Sequence, residues 1–157
     1  PMQLAVYAST LANRGTRYKA TFLKRVVSDD YTALLKQNEP VIASEFEISD
    51  EAYTAYSEGM QMVAHEPDGT ASDTFWREGY SIRVCAKTGT AEHSSGGSDH
   101  GAFICFAPAD DPQIAIAVYV ECGGHGSTLA SIARSILLEY FKVGTISDVT
   151  TNENRIS

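Results

Sequence analysis

At 157 residues, 43% of them hydrophobic and 20% charged, the chain has the size and composition of a single folded unit. Twelve basic against twenty acidic residues leave a net charge of −8, which repels nucleic-acid phosphates and argues against a DNA or RNA partner. No stretch approaches the roughly 20 apolar residues of a membrane span, and none has the pattern of a signal peptide. Arg14, Arg17, Lys19, Lys24 and Arg25 cluster near the start and are expected to form a solvated face.

In chain order, Leu4, Ala8, Leu11 and Ala12 recur at helical spacing and predict a helix over 2–13, stopped by Gly15. Phe22–Val27 and Val41–Ile48 are predicted as short strands, with a turn or exposed loop through Asp29, Asp30, Gln37, Asn38 and Pro40. Ser49 is a good N-cap, and Asp50 and Glu51 suit the positive end of a helix dipole. The helix that follows carries Tyr53, Tyr56, Met60 and Val63 on one face and ends near Pro67-Asp68-Gly69. Residues 70–79 are expected to form a short helix or loop, with Trp76 as its packing anchor. Three strands are predicted at about 80–90, 101–107 and 114–121. The link His93–Ser98 is polar and glycine-rich. The third strand is apolar at nearly every position, the pattern of a strand buried on both faces. A helix over about 127–142 carries the stripe Leu129, Ile132, Ala133, Ile136, Leu137, Tyr140 and Phe141. Residues 145–157 form a polar tail expected to be disordered. The three cysteines, Cys85, Cys105 and Cys122, are an odd number on or beside core strands and are expected to be small buried apolar residues.

The most informative run is Ala86-Lys87-Thr88-Gly89-Thr90-Ala91-Glu92, at the end of the strand-like segment Tyr80–Cys85. Lys-Thr-Gly is one of three signatures of the penicillin-interacting serine enzymes. The next strand, Asp99–Pro108, and the one after it, Ile114–Glu121, follow in matching order. With the opening Pro1–Ala8, Leu11–Gly15 and Gly69-Thr70-Ala71, the pattern resembles the class B penicillin-binding proteins, the cell-wall D,D-transpeptidases. The resemblance runs over about residues 1–143. It implies that the chain is the C-terminal half of a transpeptidase domain, residues 1–144, followed by the tail. The fold implied is α/β of the α+β type: helices on a mainly antiparallel sheet, part of the penicillin-binding, serine β-lactamase-like fold.

The same resemblance assigns roles. Lys87 supplies positive charge and helps proton traffic, Thr88 and Thr90 bind the substrate carboxylate, and the backbone N–H of Thr90 forms half of the oxyanion hole. Gly89 lets substrate approach the strand backbone. The expected ligands are peptidoglycan stem peptides and β-lactams, with no cofactor and no metal. The implied location is the extracytoplasmic face of a bacterial membrane, through an anchor outside this chain. Ala86 stands where the family commonly has Gly. His100 and Phe103 match an aromatic-rich strand, but Gly101-Ala102 replace a bulkier pair. His100 is expected to be structural, and Glu92 a loop residue.

Two family signatures are missing. No Ser has a Lys three residues on, and no Ser-x-Asn occurs; Ser28-Asp29-Asp30 is the nearest imitation. Acyl transfer needs a nucleophile beside a base, so the isolated chain is expected to be inactive. Without the strand that normally flanks it, Ile114–Val120 is expected to be a free edge that pairs with the missing N-terminal half or with a second copy. Other motifs fail on spacing. Gly96–His100 lacks the second Gly of a nucleophile elbow, Ser81–Thr88 lacks the glycines of a P-loop, and Cys122 and His125 lack a partner pair for zinc. Two alternatives stay open: half of a β-lactamase or D,D-carboxypeptidase, and a non-catalytic module that binds cell-wall peptide or protein.

Overall fold

The computed structural model describes residues 1–76, 80–93 and 96–142. Helix α1, Met2–Ala12, opens behind Pro1, whose carbonyl accepts the Ala5 N–H at 2.9 Å. It closes at Gly15, which has φ +97° and whose missing Cβ would stand 2.1 Å from the Phe46 carbonyl oxygen. Only glycine meets both conditions.

A small β excursion follows. Strand β1, Arg17–Tyr18, pairs antiparallel with β4, Ile42–Ser44, and between them β2, Arg25–Val27, pairs with β3, Leu34–Gln37. The two strands expected here are therefore shorter, and the expected loop contains a strand. The turn explains it. Asp30 accepts from the Ser28 hydroxyl, from Thr32 N at 3.1 Å and from Thr32 Oγ1 at 2.8 Å, which holds its carboxyl down at about 2. An Asx-type turn of this kind reverses the chain between Val27 and Leu34 and lets Leu34–Gln37 pair back. Ser28-Asp29-Asp30 is thus a hairpin turn. Arg14, from the basic cluster, lies 3.8 Å over the Tyr53 ring and 3.1 Å from Asp50.

Helix α2, Asp50–His65, is capped as expected: Ser49 Oγ accepts the Ala52 N–H at 3.2 Å. Its inner face holds Ser57, Met60 and Ala64. Tyr56 packs there too, and its hydroxyl donates to Leu11 O at 2.7 Å, tying α2 to α1. The short α3, Ser72–Phe75, corrects the choice of anchor: Phe75 is fully buried, whereas Trp76 is 47% exposed. Adjacent residues on a helix point in different directions, and the core takes Phe75.

The main sheet has the order β5-β6-β7, all antiparallel: Cys85–Ala91, His100–Ala107 and Ile114–Val120. One face packs Cys85, Phe106 and Ala115 against Leu11, Ala12, Tyr56 and Met60 of α1 and α2. The other packs Val84, Ala86, Phe103, Cys105 and Ile116 against Phe75, Leu129, Ala133 and Leu137. The last two belong to α4, Ala130–Phe141, which follows a 3-10 turn at Gly126–Leu129. Cys85 and Cys105 are buried free thiols, as expected, but Cys122 is exposed beyond the end of β7.

Two further corrections concern the edges of this sheet. β7 is not buried on both faces: Ile116 is buried, its neighbours are half-buried, and Tyr119 is exposed. It is the outer strand, so α1 and α4 cover it only in part. The α4 stripe is likewise divided. Ala133 and Leu137 are buried while Ile132, Ile136 and Tyr140 are exposed, because a three-stranded sheet is narrower than the stripe. The expected tail, 145–157, and part of the His93–Ser98 link lie outside the described residues. No helix among the described residues is long and apolar enough to cross a membrane.

Candidate active site

Strand β5 carries Lys87, Thr88, Gly89 and Thr90, and its position in the sheet decides what they can do. One flank pairs with β6; the other carries no strand among the described residues. On that open flank the Val84 N–H donates to His65 Nε2 at 2.8 Å, and the Thr88 carbonyl accepts Lys87 Nζ at 2.6 Å. In an antiparallel strand the N–H and C=O of one residue point to the same flank, and alternate residues share it. Val84, Ala86, Thr88 and Thr90 therefore turn their backbone groups outward. Side chains alternate across the faces. Lys87 shares the face of Cys85, and the two threonines share the face of Ala86. Cation and hydroxyls thus lie on opposite faces of the strand, and Lys87 Nζ reaches its outer edge at the Thr88 carbonyl.

Two glycines bring other segments onto this strand, and a third lies within it. Gly69 lies so close to the end of α2 that a Cβ would stand 2.3 Å from the Met62 carbonyl oxygen and 2.5 Å from that of Val63. This tight return delivers Thr70 to β5, where its hydroxyl meets that of Thr88 at 2.9 Å. Gly126 opens the 3-10 turn that meets the same face of the strand further along, at Thr90. A Cβ there would stand 2.2 Å from Gly89 O and 2.3 Å from Ala102 O, and its N–H donates to Thr90 Oγ1 at 3.3 Å. Gly89 differs, since a Cβ would only touch Ala102 Cβ at 3.4 Å. Its lack of a side chain leaves open surface instead of relieving a clash.

The remaining expected residues are placed as follows. Ala86 is fully buried and its methyl fits the core. His100 Nδ1 accepts the Cys122 N–H at 3.0 Å, and its ring lies 5.2 Å from His93 and 6.1 Å from Tyr119. It ties the ends of β6 and β7 together. The small residue at 101 has a cause: a Cβ on Gly101 would sit 3.0 Å from Leu129 Cδ1 and 3.1 Å from Gly124 O. Glu92 is exposed at the end of β5. Among the described residues no three of His, Cys, Asp and Glu are grouped to hold a metal.

Sequence reasoning missed two residues at this strand. Gly126 had a weak signal, since it follows the Gly123-Gly124 break. His65 had none, as a lone His in the last turn of a helix is ordinarily a helix-dipole residue.

Lys-Thr-Gly on the outer strand of a helix-flanked antiparallel sheet matches one of the three signatures of the penicillin-interacting serine enzymes. The chain belongs to the family described as the penicillin binding protein transpeptidase domain, whose model matches residues 1–138. Penicillin-binding protein 2B of Streptococcus pneumoniae is 30% identical over 154 residues, covering 90% of this chain and 22% of its own length. Peptidoglycan D,D-transpeptidase MrdA of Acinetobacter baumannii is 30% identical over 150 residues, covering 87% and 21%. Among solved structures, penicillin-binding protein A of M. tuberculosis as an imipenem acyl-enzyme complex aligns with TM-score 0.70 and 26% identity, covering 90% of this chain and 30% of that one. The chain spans about a fifth of the length of the two curated relatives. It therefore carries part of a transpeptidase domain of the class B type, with the mixed, mainly antiparallel fold that the resemblance implied.

Proposed function

We propose that this chain contributes the substrate-binding strand of a peptidoglycan D,D-transpeptidase, which cross-links cell-wall stem peptides by serine acyl transfer and is acylated by β-lactams. The observation that carries the reading is the outer edge of β5, which no strand among the described residues covers, with the backbone groups of Thr88 and Thr90 turned outward beside Lys87. A stem peptide binds such an edge as an added strand. Gly89 leaves room for it to approach. The Thr88 and Thr90 hydroxyls and the Lys87 ammonium hold its terminal carboxylate. The outward Thr90 N–H donates to the oxyanion as charge develops there, a contribution worth about 3–4 kcal/mol per donor.

Nucleophile and base come from outside these 157 residues, since neither Ser-x-x-Lys nor Ser-x-Asn is present. The isolated chain is accordingly inactive, and residues 1–144 act as one half of a cleft. The N-terminal half of the domain covers the edge of β7 at Ile114–Val120, or a second copy pairs there. The working enzyme sits on the extracytoplasmic face of the membrane. β-lactam acylation of the full-length protein tests the site. Lys87→Ala is expected to slow it by about 10²-fold or more, the scale of removing a preorganised charge from a transition state. Acylation of that variant at the parent rate would remove Lys87 from the mechanism.

A further inference from the structure

We propose that His65 is a positioning residue for the Lys-Thr-Gly strand: its neutral ring grips Val84, the residue that leads into β5, and protonation of the ring releases that grip. The proposal rests on the reading of β5 as the substrate-binding strand. Val84 is fully buried, and no strand among the described residues pairs with its outward N–H. A buried backbone donor needs an acceptor, and His65 Nε2 supplies it at 2.8 Å. Nε2 is therefore bare, and the neutral ring carries its proton on Nδ1. An imidazolium would set N–H against N–H at this contact.

The grip is one of two. The last turn of α2 holds Val84 through His65, and the return after α2 holds Thr88 through Thr70, with Lys87 between them. Both tethers leave the same short segment, so loosening one loosens the register of the other. The ring can also be reached by water. It lines an open cavity of about 250 Å³ with Glu58, Gln61, Met62, Glu66 and Arg83.

The charged groups facing it are Glu58 and Glu66 from α2 and Arg83 from the approach to β5. From α3 it meets the uncharged ring of Phe75, with centroids 6.4 Å apart. Burial and then the Arg83 guanidinium hold the His65 pKa below its ordinary 6.5, against the opposing pull of Glu66. The neutral, gripping form therefore prevails above pH 6.5. It is lost as pH falls below 6.5 and through the folded-state pKa.

The test is β-lactam acylation of the full-length protein between about pH 5 and pH 8, with His65→Gln and His65→Phe beside the parent. Gln offers an amide oxygen that accepts the Val84 N–H and does not titrate. The parent is expected to lose rate on the acid side. Phe is expected to be roughly five- to tenfold slower at neutral pH, the scale of one hydrogen bond. Gln is expected to rescue that loss and to lack the acid limb. In parallel, Val84 amide exchange in the ¹⁵N-labelled protein is expected to accelerate with the midpoint of the His65 ring titration. An acid limb unchanged in His65→Gln, or Val84 exchange indifferent to the protonation of His65, overturns the proposal. If Phe fails to fold, Gln against the parent still decides. If the parent is not acylated at any pH, the functional reading fails, while Val84 exchange still decides whether His65 grips the strand.

Discussion

Replacing Gly126 with Ala tests how closely the 3-10 turn packs on the Lys-Thr-Gly strand. The new Cβ would stand 2.2 Å from Gly89 O, 2.3 Å from Ala102 O and 2.8 Å from Gly89 N. All three are backbone atoms of β5 and β6, so no side-chain rotation relieves the contact. Either the two strands spread or the 3-10 turn lifts away. Overpacking of this kind costs ~1–3 kcal/mol. Lifting the turn also stretches the Gly126 N–H bond to Thr90 Oγ1, worth about 1 kcal/mol. At about 2–4 °C per kcal/mol for a chain of this size, the expected loss in Tm is roughly 4–16 °C. Thermal denaturation followed by circular dichroism measures it. Gly59→Ala is the control. Gly59 lies inside α2 with nothing within 4 Å of its missing Cβ, so the helix gains about 0.5–1 kcal/mol from the substitution. A Gly126→Ala variant as stable as the parent, or a Gly59→Ala variant equally damaged, would refute the close-approach reasoning.

Phe75→Ala empties a fully buried site among Tyr80, Phe103 and His65 and is expected to cost ~3–5 kcal/mol, whereas Trp76→Ala, at a residue 47% exposed, should cost under about 1 kcal/mol; urea denaturation of the pair checks the order. Burial pushes the Cys85 and Cys105 thiols from an ordinary 9.0 up to about 12, so the fold keeps them neutral while the unfolded chain ionises. Their stabilising share is therefore complete below pH 9.0 and lost between pH 9.0 and about 12, and a Cys85→Ala, Cys105→Ala double variant should show a shallower alkaline loss in a pH series of melting curves. In the native state iodoacetamide is expected to label exposed Cys122 and to spare the other two, a result that intact mass reads directly.

The main sheet was legible because its residues state it locally. The apolar runs at 101–107 and 114–121 became β6 and β7, and Ser49-Asp50-Glu51 opened α2 where a cap and acidic first turn demand. Lys87 to Thr90 were legible as a motif, and the structure adds which of their backbone groups face outward. What stayed hidden depends on partners distant in sequence. Phe75 and Trp76 are both large aromatics, and only the position of Phe103 selects the first for the core. The 28–40 segment looked polar because one turn, built on the Asp30 carboxylate, carries its polarity while Leu34 to Gln37 pair behind it. The α4 stripe promised a wider buried face than a three-stranded sheet offers, so Ile132 and Ile136 remain outside. Gly126 and His65 act through contacts 36 and 19 residues away, beyond the reach of any local pattern.

If these residues supply the binding strand of an acyl-transfer cleft and not its nucleophile, only the full-length protein is acylated. Intact-mass spectrometry after incubation with a β-lactam tests it most directly, on the full-length protein and on residues 1–157 alone. One covalent adduct is expected on the full-length protein, formed more slowly in Lys87→Ala, and none on the isolated chain. A stoichiometric, site-specific adduct on the isolated chain would contradict it, because a nucleophile would then lie within these 157 residues.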